Sequence, residues 1–197
     1  MSFKHLSHFE KVVGEYFNAP YAISVDSCTH AIELCLIHQK IKKKIGIPKN
    51  TYISIPMTAH KLKIKWRWLD SNWENYYFLK NTNIIDAAVF WKKNGYIKNT
   101  FMCLSFQHKK HINIGKGGMI LTDDKLAYKE LLKMTYDGRE RHLEWRKQNI
   151  KSFGYHYYLT PESAANGIKI FKKKSKLKPK IWKYTDYPDL SLMEVFK

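Results

Sequence analysis

The sequence predicts an α/β fold, a three-layer α/β/α sandwich with a mostly parallel sheet. Two patterns carry that expectation. Short apolar runs rich in β-branched and aromatic residues alternate with segments whose apolar residues recur at helical spacing. Several of the strand-like runs end directly in polar turns, after Val25, Ile85 and Phe106. In open α/β sheets ligands sit beyond the carboxyl ends of the strands, so these three turns are where function is sought.

Taken in order, His5 to Asn18 places Leu6, Phe9, Val13 and Phe17 on one helical face. Tyr21 to Val25 reads as a strand. The turn Asp26-Ser27-Cys28-Thr29 then opens a helix with Ala31, Leu34 and Cys35 inward and Lys40 to Lys44 at its far end, where cations suit the helix dipole. Thr51 to Ile55 and Ile64 to Leu69 read as strands, as do Ile84-Ile85 before Asp86 and Phe101 to Phe106. Gly117-Gly118 leads into a strand at Met119-Ile120-Leu121. Asp124 to Tyr136 is an amphipathic helix stopped at Gly138. Thr160-Pro161-Glu162 is a helix start with proline at its first position, and that helix runs into a basic tail around Lys172 to Lys180.

The 197 residues are 44% hydrophobic, which excludes a wholly disordered chain. No run approaches the roughly 18 apolar residues of a membrane span, and the start Met1-Ser2-Phe3-Lys4-His5 has no signal-peptide core. Three cysteines without a CxxC pair argue against a disulfide scaffold or a cysteine zinc site, and a cytoplasmic setting is expected. Lys plus Arg number 35 against 17 Asp plus Glu, a formal charge of +18. Such a field attracts polyanions such as nucleic acid. The excess is almost all lysine and accompanies abundant Ile, Asn and Tyr, so an AT-rich coding sequence explains it equally well.

Three turns hold candidate chemistry. The backbone N–H groups and hydroxyls of Ser27-Cys28-Thr29 suit a phosphate at a helix N-terminus; a plain Ser/Thr N-cap gives the same pattern. Asp86 at a strand end is either a buried partner for a cation or a solvated turn residue, and spacing does not choose. The third segment is richest: Ser105-Phe106-Gln107-His108-Lys109-Lys110-His111, followed by Ile114-Gly115-Lys116-Gly117-Gly118, sets a loop lysine between a strand end and a glycine-rich turn. His108 and His111 form an H-x-x-H pair, but with no third ligand in view no metal is expected.

That segment, with the pattern S-F-x-x-x-K-x-[LI]-x-x-G-x-G-G, resembles the cofactor-lysine segment of the DegT/DnrJ/EryC1/StrS aminotransferases, fold-type I enzymes that use pyridoxal 5'-phosphate (PLP). Four further motifs resemble the family in the right order. Ser27-Cys28-Thr29-His30-Ala31-Ile32 is similar to its S-G-T-x-A-L turn, and Pro48 to Tyr52 to its P-x-x-T-[FWY] segment. Asp86-Ala87-Ala88 is similar to its D-A-A motif, and Gly154 to Thr160 with Ala164-Ala165 and Gly167 to its G-Y-N-Y-R-M-T…A-A-x-G run. The resemblance covers roughly residues 8 to 175.

The resemblance implies a PLP-transferase large domain over residues 1–171, with a basic tail over 172–197 in place of the usual small domain. It implies that Lys110 forms the Schiff base with PLP and then moves a proton, and that Asp86 faces the pyridine nitrogen. Tyr52 would stack on the ring, and Ser27, Cys28, Thr29 and Ser105 would hold the phosphate. His156 stands where the family has an asparagine that reaches a neighbouring subunit's phosphate, which implies a homodimer with a shared active site. The implied reaction transfers an amino group from a donor such as glutamate to a nucleotide-linked keto sugar. Four positions depart from the pattern: Val89 for Gln or His, Cys28 for glycine, Tyr158 for arginine and Lys116 for glutamate. These departures and the charge motivate a second expectation, a non-catalytic member of the fold that binds a polyanion such as nucleic acid.

Overall fold

Helix α1 (Lys4–Phe17) buries Leu6, Phe9, Val13 and Phe17, the face that the 3.6-residue period marks. It turns through Asn18, in the left-handed conformation at φ 60°, into β1 (Tyr21–Val25). Helix α2 (Cys28–His38) follows, then β2 (Ile45–Pro48), α3 (Ser54–Lys61) and β3 (Trp66–Leu69). β4 (Tyr77–Phe78), β5 (Ile84–Asp86), β6 (Phe101–Ser105) and β7 (Gly118–Thr122) come next. α4 (Lys125–Met134) and α5 (Pro161–Lys174) complete the main elements. These elements come from a computed structural model that describes residues 3–197.

The sandwich is three-layered. Along β6 and β7 successive side chains point to opposite faces. Phe101, Cys103 and Ile120 join a core under α2 and α4, while Met102, Leu104, Met119 and Leu121 join a second core under α1 and α5.

Strand direction departs from the expected parallel sheet. The five-stranded sheet has the order β1-β7-β6-β5-β4 and is mixed: only β5 and β6 run parallel, and the other three pairings are antiparallel. The physical reason lies in the connections. A parallel pair needs a long crossover, and the 106–117 segment joining β6 to β7 contains no helix, so those strands return beside each other antiparallel. The one helical crossover between parallel neighbours is β2-α3-β3, which forms a separate two-stranded sheet.

Two local expectations are also corrected. Thr51 to Ile55 is not a strand; its end enters α3. Pro56 lies in the first turn of that helix, where a missing N–H costs nothing. Lys40 to Lys44 lie outside α2, which ends at His38; Lys40 takes a left-handed φ of 48°, which helices do not continue through.

The last residues fold back over the body. Trp182 and Asn75 exchange hydrogen bonds (2.8 and 3.0 Å), Leu190 N–H donates to the Lys49 carbonyl (2.8 Å), and Leu190 is buried. Among the described residues no helix is long and apolar enough to cross a membrane.

Candidate active site

The ends of β1, β5 and β6 converge on one cavity of about 590 Å³. Ser27, Cys28, Thr29, Tyr52, Asp86, Ser105 and Lys110 all line it. Seven of the eight residues singled out in the sequence are thus brought together, although they span 84 positions from Ser27 to Lys110.

The deep wall is polar. Asp86 is buried. Its Oδ2 accepts from the Tyr77 hydroxyl (2.6 Å) and its Oδ1 from the Ala88 N–H (3.0 Å). Tyr77 stands opposite Asp86 in the β4–β5 pairing, so the cross-strand register makes that bond. Thr51 in turn hydrogen-bonds the Tyr77 hydroxyl. Burial pushes the Asp86 carboxyl above its ordinary range, against the pull of Tyr77, Ala88 and the Lys110 charge. The open alternative of a solvated turn residue is therefore resolved in favour of a buried carboxylate.

Lys110 sits on a closed loop. Its N–H donates to the Gln107 carbonyl (2.8 Å), His108 N–H to the Gly115 carbonyl (3.1 Å) and Ile114 N–H to the Phe106 carbonyl (2.9 Å). Gly115 has φ +93°, a conformation that side chains resist. Burial holds the Lys110 amine below the ordinary lysine value, and the nearby Cys28 and Asp86 partly oppose that shift. The amine lies 5.4 Å from the Trp182 ring centre.

The other end is a helix N-terminus. The Ser27 hydroxyl accepts from His30 N–H (3.2 Å) and donates to Asp26 (3.2 Å), so it is a true N-cap and its side chain is already engaged. The first-turn N–H groups of α2 have no intrahelical partner. Thr29 Oγ1 and Ser54 Oγ lie 2.8 Å apart, joining the starts of α2 and α3. A Cβ at Gly118 would come within 2.5 Å of the Ser27 carbonyl carbon and 2.6 Å of the Cys28 nitrogen. Only glycine lets β7 approach this turn so closely.

The departures from the family pattern find local roles. Val89 lines the cavity as an apolar wall. The Cys28 thiol donates to the Cys103 carbonyl (3.4 Å), and burial raises it well above the ordinary thiol value, so it is held neutral. Lys116 reaches Asp26 (3.3 Å), which also bonds His30 at 2.5 Å. Tyr158 packs edge-on against Tyr136. His156 is not among the residues that line the cavity; it is exposed and bonds Asp137 at 3.0 Å. Sequence reasoning missed Ser54, Trp73, Tyr77, Trp182 and Tyr187, which also line the cavity. Ser54 had a usable signal, a serine two residues before a proline at a helix start; the aromatic residues had none, because their roles depend on how distant segments dock.

An amine, a buried carboxylate and a helix N-terminus around one cavity on an α/β/α sandwich define the class of the fold, the large domain of aminotransferases. The solved structures similar to this chain agree. AtS13 from Actinomadura melliaura superposes with a TM-score of 0.78 at 16% identity, covering 89% of this chain and 61% of its own. The sugar aminotransferase CalS13 from Micromonospora echinospora gives 0.72 at 14% identity, covering 88% and 61%. NtdA from Bacillus subtilis, solved with bound cofactor PMP, gives 0.71 at 18% identity, covering 87% and 48%. This chain therefore spans about three-fifths of the first of these structures and less of the third. A search of curated proteins found no match. The DegT/DnrJ/EryC1/StrS aminotransferase family model matches residues 1–89 and 85–184, and the chain belongs to that family.

PLP fits this cavity. The amine, the buried carboxylate and the helix N-terminus are the three kinds of group that its aldehyde, ring nitrogen and phosphate require.

Proposed function

We propose that the chain is a PLP-dependent aminotransferase acting through Lys110, that it transfers an amino group from an amino-acid donor to a keto sugar, and that the sugar is nucleotide-linked. The observation that supports this reading best is the pairing of a burial-depressed amine, Lys110, with a buried carboxylate, Asp86, in one cavity.

Bound PLP supplies an aldehyde that condenses with amines and a protonated ring that draws electrons from the carbon bearing the amine. The protein's part follows from its residues. Burial favours the neutral form of the Lys110 amine, the form that attacks a carbonyl. The same Nζ, when unbound, would be placed to accept and return a proton at the reacting carbon. Asp86 stays oriented by Tyr77 and Ala88 and would face the ring nitrogen. The α2 N-terminus, Thr29 and Ser105 would hold the phosphate, with Ser27 contributing through its cap of that helix. Tyr52 and Val89 would pack against the ring. The 175–197 segment adds Trp182, Asp186 and Tyr187 to the cavity wall, so we read residues 1–171 as the cofactor domain and the segment from 172 on as part of its pocket. His156, exposed on the surface, is assigned to the phosphate of a second subunit in a homodimer. Its three free cysteines suit a reducing cytoplasm.

The test is absorbance of the protein with added PLP, beside Lys110→Ala. The expected result is a long-wavelength band that Lys110→Ala lacks and that glutamate bleaches. A spectrum equal to that of free PLP in both proteins would sink the proposal.

A further inference from the structure

The two-stranded sheet continues the larger one. Gly46 of β2 and Lys80, just after β4, exchange backbone hydrogen bonds (3.1 and 3.0 Å). Ile45 and Ile47 on β2, Trp66 and Trp68 on β3, and Leu79 all turn toward the core under α2. Side chains alternate along a strand, so Lys65, Arg67, Phe78 and Lys80 point to the other face, where all four are exposed. In register, Arg67 stands beside Gly46, and Gly46 beside Lys80. Two strand spacings, about 10 Å, separate Arg67 from Lys80. Gly46 keeps the row between them low: a Cβ there would come within 2.7 Å of Leu69 and 2.9 Å of the Lys80 Cβ.

More cations border this face. The Ile45 N–H donates to the Lys65 carbonyl (3.0 Å) and the Asn81 side-chain amide to the Lys44 carbonyl (2.8 Å), which sets the exposed Lys42-Lys43-Lys44 turn at one end of it. Among the described residues none of Lys42, Lys43, Lys44, Lys65, Arg67 and Lys80 makes an ion pair. Between Glu33 and Asp70 the chain has nine Lys or Arg and no acidic residue, and Glu33 is already engaged by Lys61 (2.8 Å). Coding bias adds lysine along the whole chain, yet elsewhere lysines meet acids, as in Lys133–Glu140 and Lys116–Asp26. Like charges left unpaired on one face repel, and a polyanion relieves the repulsion. The Lys42–Lys44 turn precedes β2, whereas β2 leads out to Thr51 and Tyr52 of the active-site cavity at its other end.

The exposed aromatic side chain decides the class of polyanion. Phe78 is 44% exposed, on the same face as Lys80 and two residues from it. A membrane surface takes up several apolar side chains projecting among the cations, but here Trp66 and Trp68 turn inward. A ring and a guanidinium on a flat cationic face suit single-stranded nucleic acid, whose bases stack while its phosphates meet the lysines.

We propose that the outer face of β2 and β3 is a docking surface for single-stranded nucleic acid, with bases stacked on Phe78 and phosphates held by Arg67, Lys80 and the Lys42–Lys44 turn. The surface lies outside the active-site cavity and does not depend on the aminotransferase reading.

The test is fluorescence anisotropy of a labelled oligothymidylate of about 20 nucleotides, longer than the site of one single-strand-binding module, titrated with the full chain at several salt concentrations. The proteins compared are the wild type, Arg67→Ala/Lys80→Ala, Phe78→Ala, and the control Lys125→Ala/Lys129→Ala, which removes the same charge from α4 at the opposite edge of the sheet. Saturable binding is expected in the wild type. Arg67→Ala/Lys80→Ala should weaken it about tenfold or more and reduce the slope of log affinity against log salt by about 1.4, the release of two counterions from a single strand. Phe78→Ala should weaken it about fivefold or more, the worth of one stacked base, with the slope unchanged. The control should bind as the wild type does. If Arg67→Ala/Lys80→Ala does not fold, Lys42→Ala/Lys43→Ala, in an exposed turn, carries the same expectation. Equal weakening in the patch and control variants would show a diffuse charge field and overturn the proposal. So would the absence of saturable binding, or retention on phosphatidylserine vesicles without binding of the oligonucleotide, which would make the face a membrane surface.

Discussion

Removing Glu10 should cost the fold heavily, because one buried carboxylate ties three elements together. It lies on α1 and is 7% exposed. Its Oε1 accepts from the Ser24 N–H (2.8 Å), the Ser24 hydroxyl (2.7 Å) and Arg141 Nη1 (2.7 Å). The Arg141 side chain is 5% exposed and extends weaker bonds to the Ser24 carbonyl and Thr135. One carboxylate oxygen thus joins α1, β1 and the segment after α4, just upstream of the Ser27–Thr29 turn. Glu10→Ala removes the acceptor and leaves a buried guanidinium uncompensated, which costs about 3–5 kcal/mol. Glu10→Gln keeps an oxygen but drops the charge, and should cost about 1.5–3 kcal/mol, the worth of a charged hydrogen bond. A domain has only about 5–15 kcal/mol of stability, so the alanine variant should be close to unfolding. Urea denaturation followed by circular dichroism measures both losses. The double variant Glu10→Leu/Arg141→Met should recover part of the loss, because no charge is then left buried. A loss below about 1 kcal/mol for Glu10→Ala, or strict additivity in the double variant, would refute this account of a buried, mutually dependent pair.

Two further outcomes follow from the site. Gly118→Ala drives a Cβ into the backbone of the Ser27–Cys28 turn; overpacking costs about 1–3 kcal/mol, so PLP affinity should fall about 5- to 150-fold in a spectroscopic titration, and unchanged affinity would show that the turn does not hold the phosphate. The Lys110 amine titrates below its ordinary 10.5 because burial disfavours its charge. The unfolded chain therefore binds more protons between the folded-state value and 10.5, and apo-protein stability rises with pH across that window. Lys110→Met should accordingly be more stable than the wild-type apo-protein at neutral pH, with the advantage shrinking toward pH 10.5; a pH-independent difference in melting temperature would contradict it.

Much of this was legible in the chain because it is local. The strands β1, β5, β6 and β7 and the helices α1, α4 and α5 follow from side-chain periodicity, from the Asp124 and Thr160 caps that bond their own first turns, and from Pro161. The candidate site residues were legible as ordered motifs at strand ends, and seven of them meet in one cavity. What failed was also local in origin: Thr51 to Ile55 carries β-forming residues, yet helix α3 begins there because burial of Ile55 and Ala59 against the core outweighs propensity.

Strand direction, by contrast, is set by which edges meet after the whole chain has packed, and a side-chain period reads the same in either direction. Hence the mixed sheet. The same holds for Tyr77, whose bond to Asp86 exists only through the β4–β5 register, and for Trp182 and Tyr187, which reach the cavity because the 175–197 segment docks on the turns at Lys49–Asn50 and Trp73–Asn75. The residue types needed for an amine, a carboxylate and a phosphate turn are written in order along the chain. Their surroundings, which bury Asp86 and depress the Lys110 amine, arise only from long-range packing, because desolvation and charge proximity are properties of space and not of sequence distance.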